Sequence, residues 1–193
     1  MTVKLKYGNT NTYYIPGRGG GLLVDTDYAG TLGAFYRALK QKGLGLTDIA
    51  WVMATHYHPD HMGLIPQLMD RGVRLLLVEG QEAGLHFSDR IFAREGRDFQ
   101  PIRQEAATRI SPAESRRFLE RLGIAGEILP TPSHSPDSVS LLLDDGDCLV
   151  GDLEPLEYLA GYGENLPLRR DWDAILSHRP RRILYGHVNE KLL

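Results

Sequence analysis

Three histidines and an aspartate fall within six consecutive positions: His56, His58, Asp60 and His61, in the segment Thr55-His56-Tyr57-His58-Pro59-Asp60-His61-Met62-Gly63. The apolar run before it, residues 49–54, reads as a buried strand, so the segment is expected on a loop at a strand's C-terminal end. Imidazole and carboxylate are ligands of divalent metals of the zinc, manganese and iron type. From the chain's own His and Asp frequencies, H-x-H-x-D-H arises by chance on the order of once per thousand such sequences. A surface loop has no evident need for three histidines. Pro59 is expected to bar regular helix or central strand. The loop should therefore curl, and a curled loop can split its ligands between two nearby ions. The one cysteine, Cys148, excludes a disulfide framework and any multi-cysteine zinc or iron–sulfur site. Any metal centre must be built from imidazole and carboxylate.

The rest of the chain reads as one globular unit. Its 193 residues, 42% hydrophobic and 24% charged, suit a single domain with a core of its own. Strands are expected at residues 2–6, 11–15, 22–25, 49–54, 73–78, 127–129, 139–143, 148–151 and 182–185. Leu32, Phe35, Tyr36 and Leu39 recur at helical spacing within residues 29–41. A short helix is expected at 64–69 and another near 171–177. Ser111-Pro112-Ala113-Glu114 forms a capping box for a helix running to Leu122, with Gly123 as its stop. Gly17-Arg18-Gly19-Gly20-Gly21 precedes a strand rather than a helix, so it reads as a turn and not as a phosphate cradle. Residues 80–110 are the least periodic and are expected to form an irregular, partly helical insertion. The interleaving is not a strict strand–helix alternation, which favours sheets packed together with helices outside.

Lys plus Arg number 22 against 25 Asp plus Glu, a net charge of −3, which argues against a general binder of nucleic acid or anionic membranes. No apolar stretch is long enough to span a bilayer. No basic start leads into an apolar run, so a cytoplasmic location is expected. A small molecule is the expected partner, and a homodimer is left open.

The pattern resembles the metallo-β-lactamase superfamily. His56, His58, Asp60 and His61 match its H-x-H-x-D-H loop. Thr131-Pro132-Ser133-His134-Ser135-Pro136-Asp137-Ser138 is similar to the segment carrying its next ligand. Gly151-Asp152 and Tyr185-Gly186-His187 match its later aspartate and histidine, each after a strand. Asn11-Thr12-Tyr13 and Leu23-Val24-Asp25-Thr26 look like its opening strands. The resemblance implies an α/β fold of the αββα sandwich type, two mixed β-sheets flanked by helices, over residues 1–193. It implies two divalent ions, zinc first, with manganese or iron fitting the same donors. One ion would bind His56, His58 and His134, the other Asp60, His61 and His187, with Asp152 bridging and Asp60 also serving in catalysis. It further implies Asp25 and Ser138 as residues that order the ligand loops. Two departures stand out: Ser133 and Asp27 occupy positions where the family often has glycine, and Ser133 would be strained if its φ had to be positive.

The implied chemistry is hydrolysis of an ester, lactone, thioester or amide-like bond by a hydroxide shared between the two ions. Alternatives are a phosphodiesterase, a persulfide dioxygenase using one iron on His56, His134 and Asp152, and a non-catalytic metal-binding protein. Asp152 sets zinc β-lactamases apart, since they generally lack the bridging carboxylate. Pro155 stands where quorum-signal lactonases place a tyrosine. Only a short stretch follows His187, so the glutathione-binding extension of glyoxalase-type members is not expected. His86, Phe87, Tyr158 and Tyr162 are the candidates for substrate contact, with Phe92 as a further aromatic of an apolar rim. His178 reads as a solvated helix end and Cys148 as a buried small residue.

Overall fold

Short apolar runs build two mixed sheets in the computed structural model of the chain, which describes residues 1–161 and 165–193. The first sheet runs in chain order: β1 (Val3–Lys6), β2 (Asn11–Ile15), β3 (Gly21–Val24), β4 (Ile49–Met53), β5 (Arg74–Val78) and β6 (Thr108–Ile110). Its first two joins are antiparallel and its last three parallel. The second sheet contains β7 (Gly126–Pro130), β8 (Val139–Leu143), β9 (Asp147–Gly151), β10 (Arg182–Tyr185) and β11 (Lys191–Leu192), in the order β11-β10-β9-β8-β7. There β9 and β10 are parallel and the other joins antiparallel. The helices are α1 (Leu32–Gln41), α2 (Pro59–Met62), α3 (Ile65–Met69), α4 (Asp89–Arg94), α5 (Ser115–Arg121) and α6 (Leu166–Ser177). None is long and apolar enough to cross a membrane, among the described residues.

The two-residue period of a strand divides the core into layers. Trp51 and Met53 of β4 face the second sheet, where they join Leu76, Leu141, Leu149 and Leu184 in one buried cluster. Val52 points the other way, into a cluster with Phe35 and Leu39 of α1 and Leu68 of α3. On the far side, Cys148 and Val150 of β9 pack with Leu168, Trp172 and Ile175 of α6. The order is helices, sheet, sheet, helix: the αββα sandwich expected from the sequence.

Several elements differ from the sequence reading. α1 starts at Leu32, not residue 29, because a turn closes first: Thr31 Oγ1 donates to the Tyr28 carbonyl at 2.7 Å and Gly30 takes φ +92°. α6 starts at Leu166, well before residue 171. Asn165 caps it by accepting from Leu168 N at 3.1 Å, and Pro167 sits in the first turn, where its missing N–H costs nothing. Residues 80–110 hold α4 and a 3-10 turn at Gln104–Ala106, and they end in β6, which pairs with β5. β11 is a two-residue edge strand without a readable period. Pro59 does not bar helix. It occupies the first position of α2, with His58 as the N-cap, where no intrahelical N–H bond is lost.

Strands β3, β4, β9 and β10 all end at one edge of the sandwich, and two backbone bonds join the sheets there. Val139 N donates to the Thr55 carbonyl at 2.8 Å, and Asn11 N donates to the Gly186 carbonyl at 2.6 Å. This edge carries the histidine-rich segment.

Candidate metal centre

Each acid or imidazole of the cluster leaves a strand end or a short connection. Asp25 follows β3; His56 and His58 follow β4; Asp60 and His61 ride on α2. His134 lies between β7 and β8, Asp152 directly after β9, and His187 two residues after β10. Together they make three overlapping groups whose donor atoms all lie within 4.8 Å of one another: His56, His58 and His134; His56, His61 and Asp152; Asp60, His61 and His187.

Imidazole nitrogens face each other across short gaps. His56 Nε2 is 3.0 Å from His58 Nδ1, which is 3.2 Å from His134 Nε2. His61 Nε2 is 3.2 Å from His187 Nε2. Two nitrogens bound to one tetrahedral ion at about 2.05 Å lie about 3.3 Å apart, so these gaps suit donors around a shared cation. The hydrogen bookkeeping agrees. His61 Nδ1 lies 3.0 Å from Asp25 Oδ2, a pure acceptor, so neutral His61 carries its proton on Nδ1 and turns a lone pair inward at Nε2. Thr55 Oγ1 donates to Asp25 Oδ2 at 2.9 Å, so it accepts from His56 Nδ1 at 3.2 Å. The Nε2 lone pair of His56 then also faces inward. His187 Nδ1 lies 3.4 Å from the Asn9 carbonyl, with the same consequence.

Asp152 stands between the groups. Its Oδ2 is 4.0 Å from His56 Nε2, 3.9 Å from His134 Nε2 and 3.3 Å from His187 Nε2. Its Oδ1 is buried, lies 3.2 Å from His61 Nε2, and has no hydrogen-bond partner. A buried carboxylate oxygen that no hydrogen bond satisfies is costly unless a cation meets it, and at Asp152 Oδ1 that cation is either protonated His61 or a metal ion. Asp25, Asp60 and Asp152 concentrate negative charge against imidazoles that can be neutral, a donor set that fits divalent cations.

Protons balance this charge in the metal-free protein. Burial works against charge on His61, but Asp25 and Asp152 reverse that and raise its pKa to about 10. Hydrogen bonds to Asp152 and Asp60 raise His187 to about 10. Burial alone would raise the Asp152 and Asp60 carboxyls, yet the histidines beside them hold both below the usual carboxylate range. His56 and His134 are lowered by burial, and neighbouring imidazoles push the same way.

Residues to which the sequence reading gave no role in the site hold these donors in place. Gln81 Nε2 donates to the carbonyls of Ala54, Thr55 and Asp137 at 3.1, 3.3 and 3.0 Å. Asp137 Oδ2 accepts from Tyr57 N at 2.7 Å, and Ser88 Oγ donates to the Tyr57 carbonyl at 2.7 Å. Asn11 Nδ2 donates to the carbonyls of Tyr185 and Val188, both at 2.9 Å, fixing the strand end before His187. These pairings join distant parts of the chain and leave no local signal. Gly186 has a more direct role: a Cβ there would meet Asp152 Oδ1 at 2.6 Å and His61 Cε1 at 2.8 Å.

The other candidates are placed as follows. Asp25 accepts from Thr55 N at 2.6 Å as well as from Thr55 Oγ1 and His61. Ser138 Oγ bonds Ser135 Oγ at 2.7 Å, bracing the loop that carries His134. Ser133 has no positive φ, and its N–H donates to Asp171 Oδ2 at 2.8 Å, so the feared strain is absent. Asp27 holds the connection between β1 and β2 by accepting from Thr10 N at 3.1 Å. Phe87 is 56% exposed, with its ring 5.1 Å from that of His58. His86 is exposed and pairs with Asp89 at 2.9 Å. Phe92 is no rim residue: it is fully buried, its ring tilted against that of Phe99 and edge-on to Tyr28. Tyr158 lies half-exposed on the 3-10 turn at Leu156–Ala160, and Tyr162 lies outside the described residues. A cavity of about 240 Å³ opens beside the donors, lined by His134, Asp152, Leu153, Glu154, Pro155 and His187 among others; Tyr158 is not among its described lining residues. His178 ends α6, 3.4 Å from Glu127. Cys148 is buried in β9, where burial pushes its thiol pKa up.

Comparison with known proteins gives a consistent picture. The family model described as the metallo-beta-lactamase superfamily matches residues 5–187. The beta-lactamase-like protein 2 homolog of Drosophila melanogaster is 24% identical over 188 residues, 93% of this chain; the match spans only 59% of that relative's length. The metallo-beta-lactamase family protein TTHA1429 from Thermus thermophilus is 25% identical with a TM-score of 0.74, covering 100% of this chain and 74% of that one. TTHA1623, solved in a di-iron-bound form, has a TM-score of 0.72 at 22% identity, covering 100% and 94% of the two chains. The BLEG-1 B3 metallo-beta-lactamase has a TM-score of 0.73 at 23% identity, with the same coverage. At those two identities the likeness is one of fold.

Proposed function

The chain belongs to the metallo-β-lactamase superfamily, and from that premise we propose that it is a hydrolase that holds two divalent cations and cleaves an ester, lactone, thioester or amide-like bond of a small molecule. The observation that carries this reading is the position of Asp152 between two sets of donors, with one buried oxygen 3.2 Å from His61 Nε2 that no hydrogen bond satisfies. In this reading His56, His58 and His134 hold one ion, Asp60, His61 and His187 hold the other, and Asp152 serves both. The donors are all nitrogen and oxygen, which suits zinc; the di-iron form of TTHA1623 makes iron the first alternative. When bound, two such ions lower the pKa of water and polarise the oxygen of the scissile bond.

The chain's own residues do the rest. Asp25 and Thr55 orient His61 and His56, so that their Nε2 atoms face the site. Asp60 Oδ2 sits 3.1 Å from His187 Nε2 on the open side and is held ionised. It can accept a proton from the attacking water and return it to the leaving group, a role that needs a carboxylate within hydrogen-bond reach. The cavity beside His134, Asp152 and His187 leaves room for the part of the substrate that departs.

A screen of the metal-loaded protein tests the reading. Turnover of acyl esters, thioesters or lactones, lost on chelation and restored by metal, is the expected result. Turnover of bis-nitrophenyl phosphate alone makes the protein a phosphodiesterase instead. No turnover across both panels refutes the hydrolase.

A further inference from the structure

A second cavity, of about 210 Å³, is lined by His58 and shares no described lining residue with the cavity beside Asp152. It lies between the turn at residues 83–87 and the segment 135–137, with Tyr57 also lining it. The surfaces of Tyr57, Ala83, Phe87 and Pro136 make it apolar. The Asp137 carboxylate at its edge is already engaged: Oδ2 accepts from Tyr57 N and Oδ1 accepts from Ser135 Oγ, both at 2.7 Å. The pocket therefore has shape but little polar recognition to offer.

Its walls are preformed. Gly84 packs so closely on Asp137 that a Cβ there would collide with the carboxylate. The Gln81 amide, whose two N–H groups are shared among three carbonyls, and the bond from Ser88 to Tyr57 tie this turn to the histidine loop. Phe87, an exposed aromatic, leans over the His58 ring at 5.1 Å between centroids. A preformed apolar recess that shares His58 with the candidate metal centre suits the apolar part of whatever is cleaved there.

We propose that this cavity is the subsite for the substrate's acyl group, and that the group is an apolar chain or ring of medium size. The inference rests on the acyl-hydrolase reading above. The volume sets the size: a cavity of about 150 Å³ admits benzene, so this one takes a phenyl ring or a straight chain of about six carbons. Acetyl leaves it mostly empty, and a long fatty acyl chain exceeds it.

Straight-chain hydroxamic acids, which chelate metal without being turned over, read the subsite by binding alone. Calorimetric affinity for the zinc-loaded protein should rise about fourfold per methylene from acetyl to hexanoyl and then level off. Ala83→Trp fills the cavity from its exposed rim, and Phe87→Ala removes one wall; either should flatten the series. A flat series in the unmodified protein overturns the subsite. The matching series of p-nitrophenyl esters separates it from the hydrolase reading. Chain-length-dependent binding without turnover of any ester, thioester or lactone keeps the apolar subsite and removes the acyl-hydrolase reading. Turnover indifferent to acyl length keeps the hydrolase and removes the subsite.

Discussion

His61 Nδ1 lies 3.0 Å from Asp25 Oδ2, and both side chains are buried. Asp25 takes φ +59°, a left-handed conformation that non-glycine residues seldom adopt. It persists because the carboxylate is fixed from three directions, by Thr55 N, Thr55 Oγ1 and His61 Nδ1. The aspartate thus aligns two imidazoles without touching the space between the donors. Asp25→Asn keeps the backbone, since Asn tolerates the left-handed region. Its amide, however, must aim an N–H at one of the three donors. Metal affinity should fall about 10–100-fold, as for other groups that orient metal ligands. Competition against a chromophoric chelator measures this; unchanged affinity would show that Asp25 only closes the end of β3.

The raised pKa values give metal binding a definite pH dependence. His61 and His187 shift from 6.5 up to about 10 in the metal-free protein. A raised pKa stabilises the metal-free fold fully below about 6.5, and the contribution is lost as pH climbs through about 10. A cation binds only deprotonated imidazole, so uptake must expel these protons and apparent affinity must rise with pH across that window. Calorimetry near pH 7.5 in two buffers of different ionisation heat should detect the release. Affinity that falls as pH rises would reverse the expected sign.

Gly186 sits where no side chain fits. An added Cβ would press on Asp152 Oδ1 and His61 Cε1, both part of the donor cluster. Gly186→Ala should cost about 1–3 kcal/mol of stability, the usual range for an overpacked site. It should also weaken metal binding by moving Asp152. Thermal denaturation with and without added metal separates the effects: the stabilisation conferred by metal should shrink in the variant.

Trp172 links α6 to the segment after Asp152. It is fully buried, and its Nε1 donates to the Glu154 carbonyl at 2.9 Å. Trp172→Phe keeps most of the apolar packing and loses the hydrogen bond, at a cost of about 1 kcal/mol. Trp172→Ala opens a cavity beneath β9 and should cost about 3–5 kcal/mol. Denaturant unfolding of the two variants gives both values, and equal losses would mean that the hydrogen bond rather than the packing dominates.

What could be read in advance follows from the range of the interactions. His56, His58, Asp60 and His61 are consecutive enough to be seen as one motif, and apolar runs such as that of β4 mark buried strands by themselves. His134, Asp152 and His187 become visible only through the order of a known pattern, because what unites them is the closing of one sheet on the other. Gln81, Asp137 and Trp172 carry no local mark, since each acts on backbone groups far away in sequence. β6 and β11 are too short to show a period. Pro59 misleads because the rule against proline applies to helix interiors, and this proline begins one. Phe92 misleads because an aromatic in an irregular stretch looks like a rim residue until α4 turns it into the core.

Metal stoichiometry tests the central claim most directly. The protein, stripped with chelator, reconstituted with zinc or iron and freed of excess, would be assayed by elemental analysis beside Asp152→Ala. Two ions per chain in the unmodified protein, with occupancy reduced by loss of Asp152, is the predicted result. One ion or none at saturation would contradict a centre built from two donor sets around one shared carboxylate.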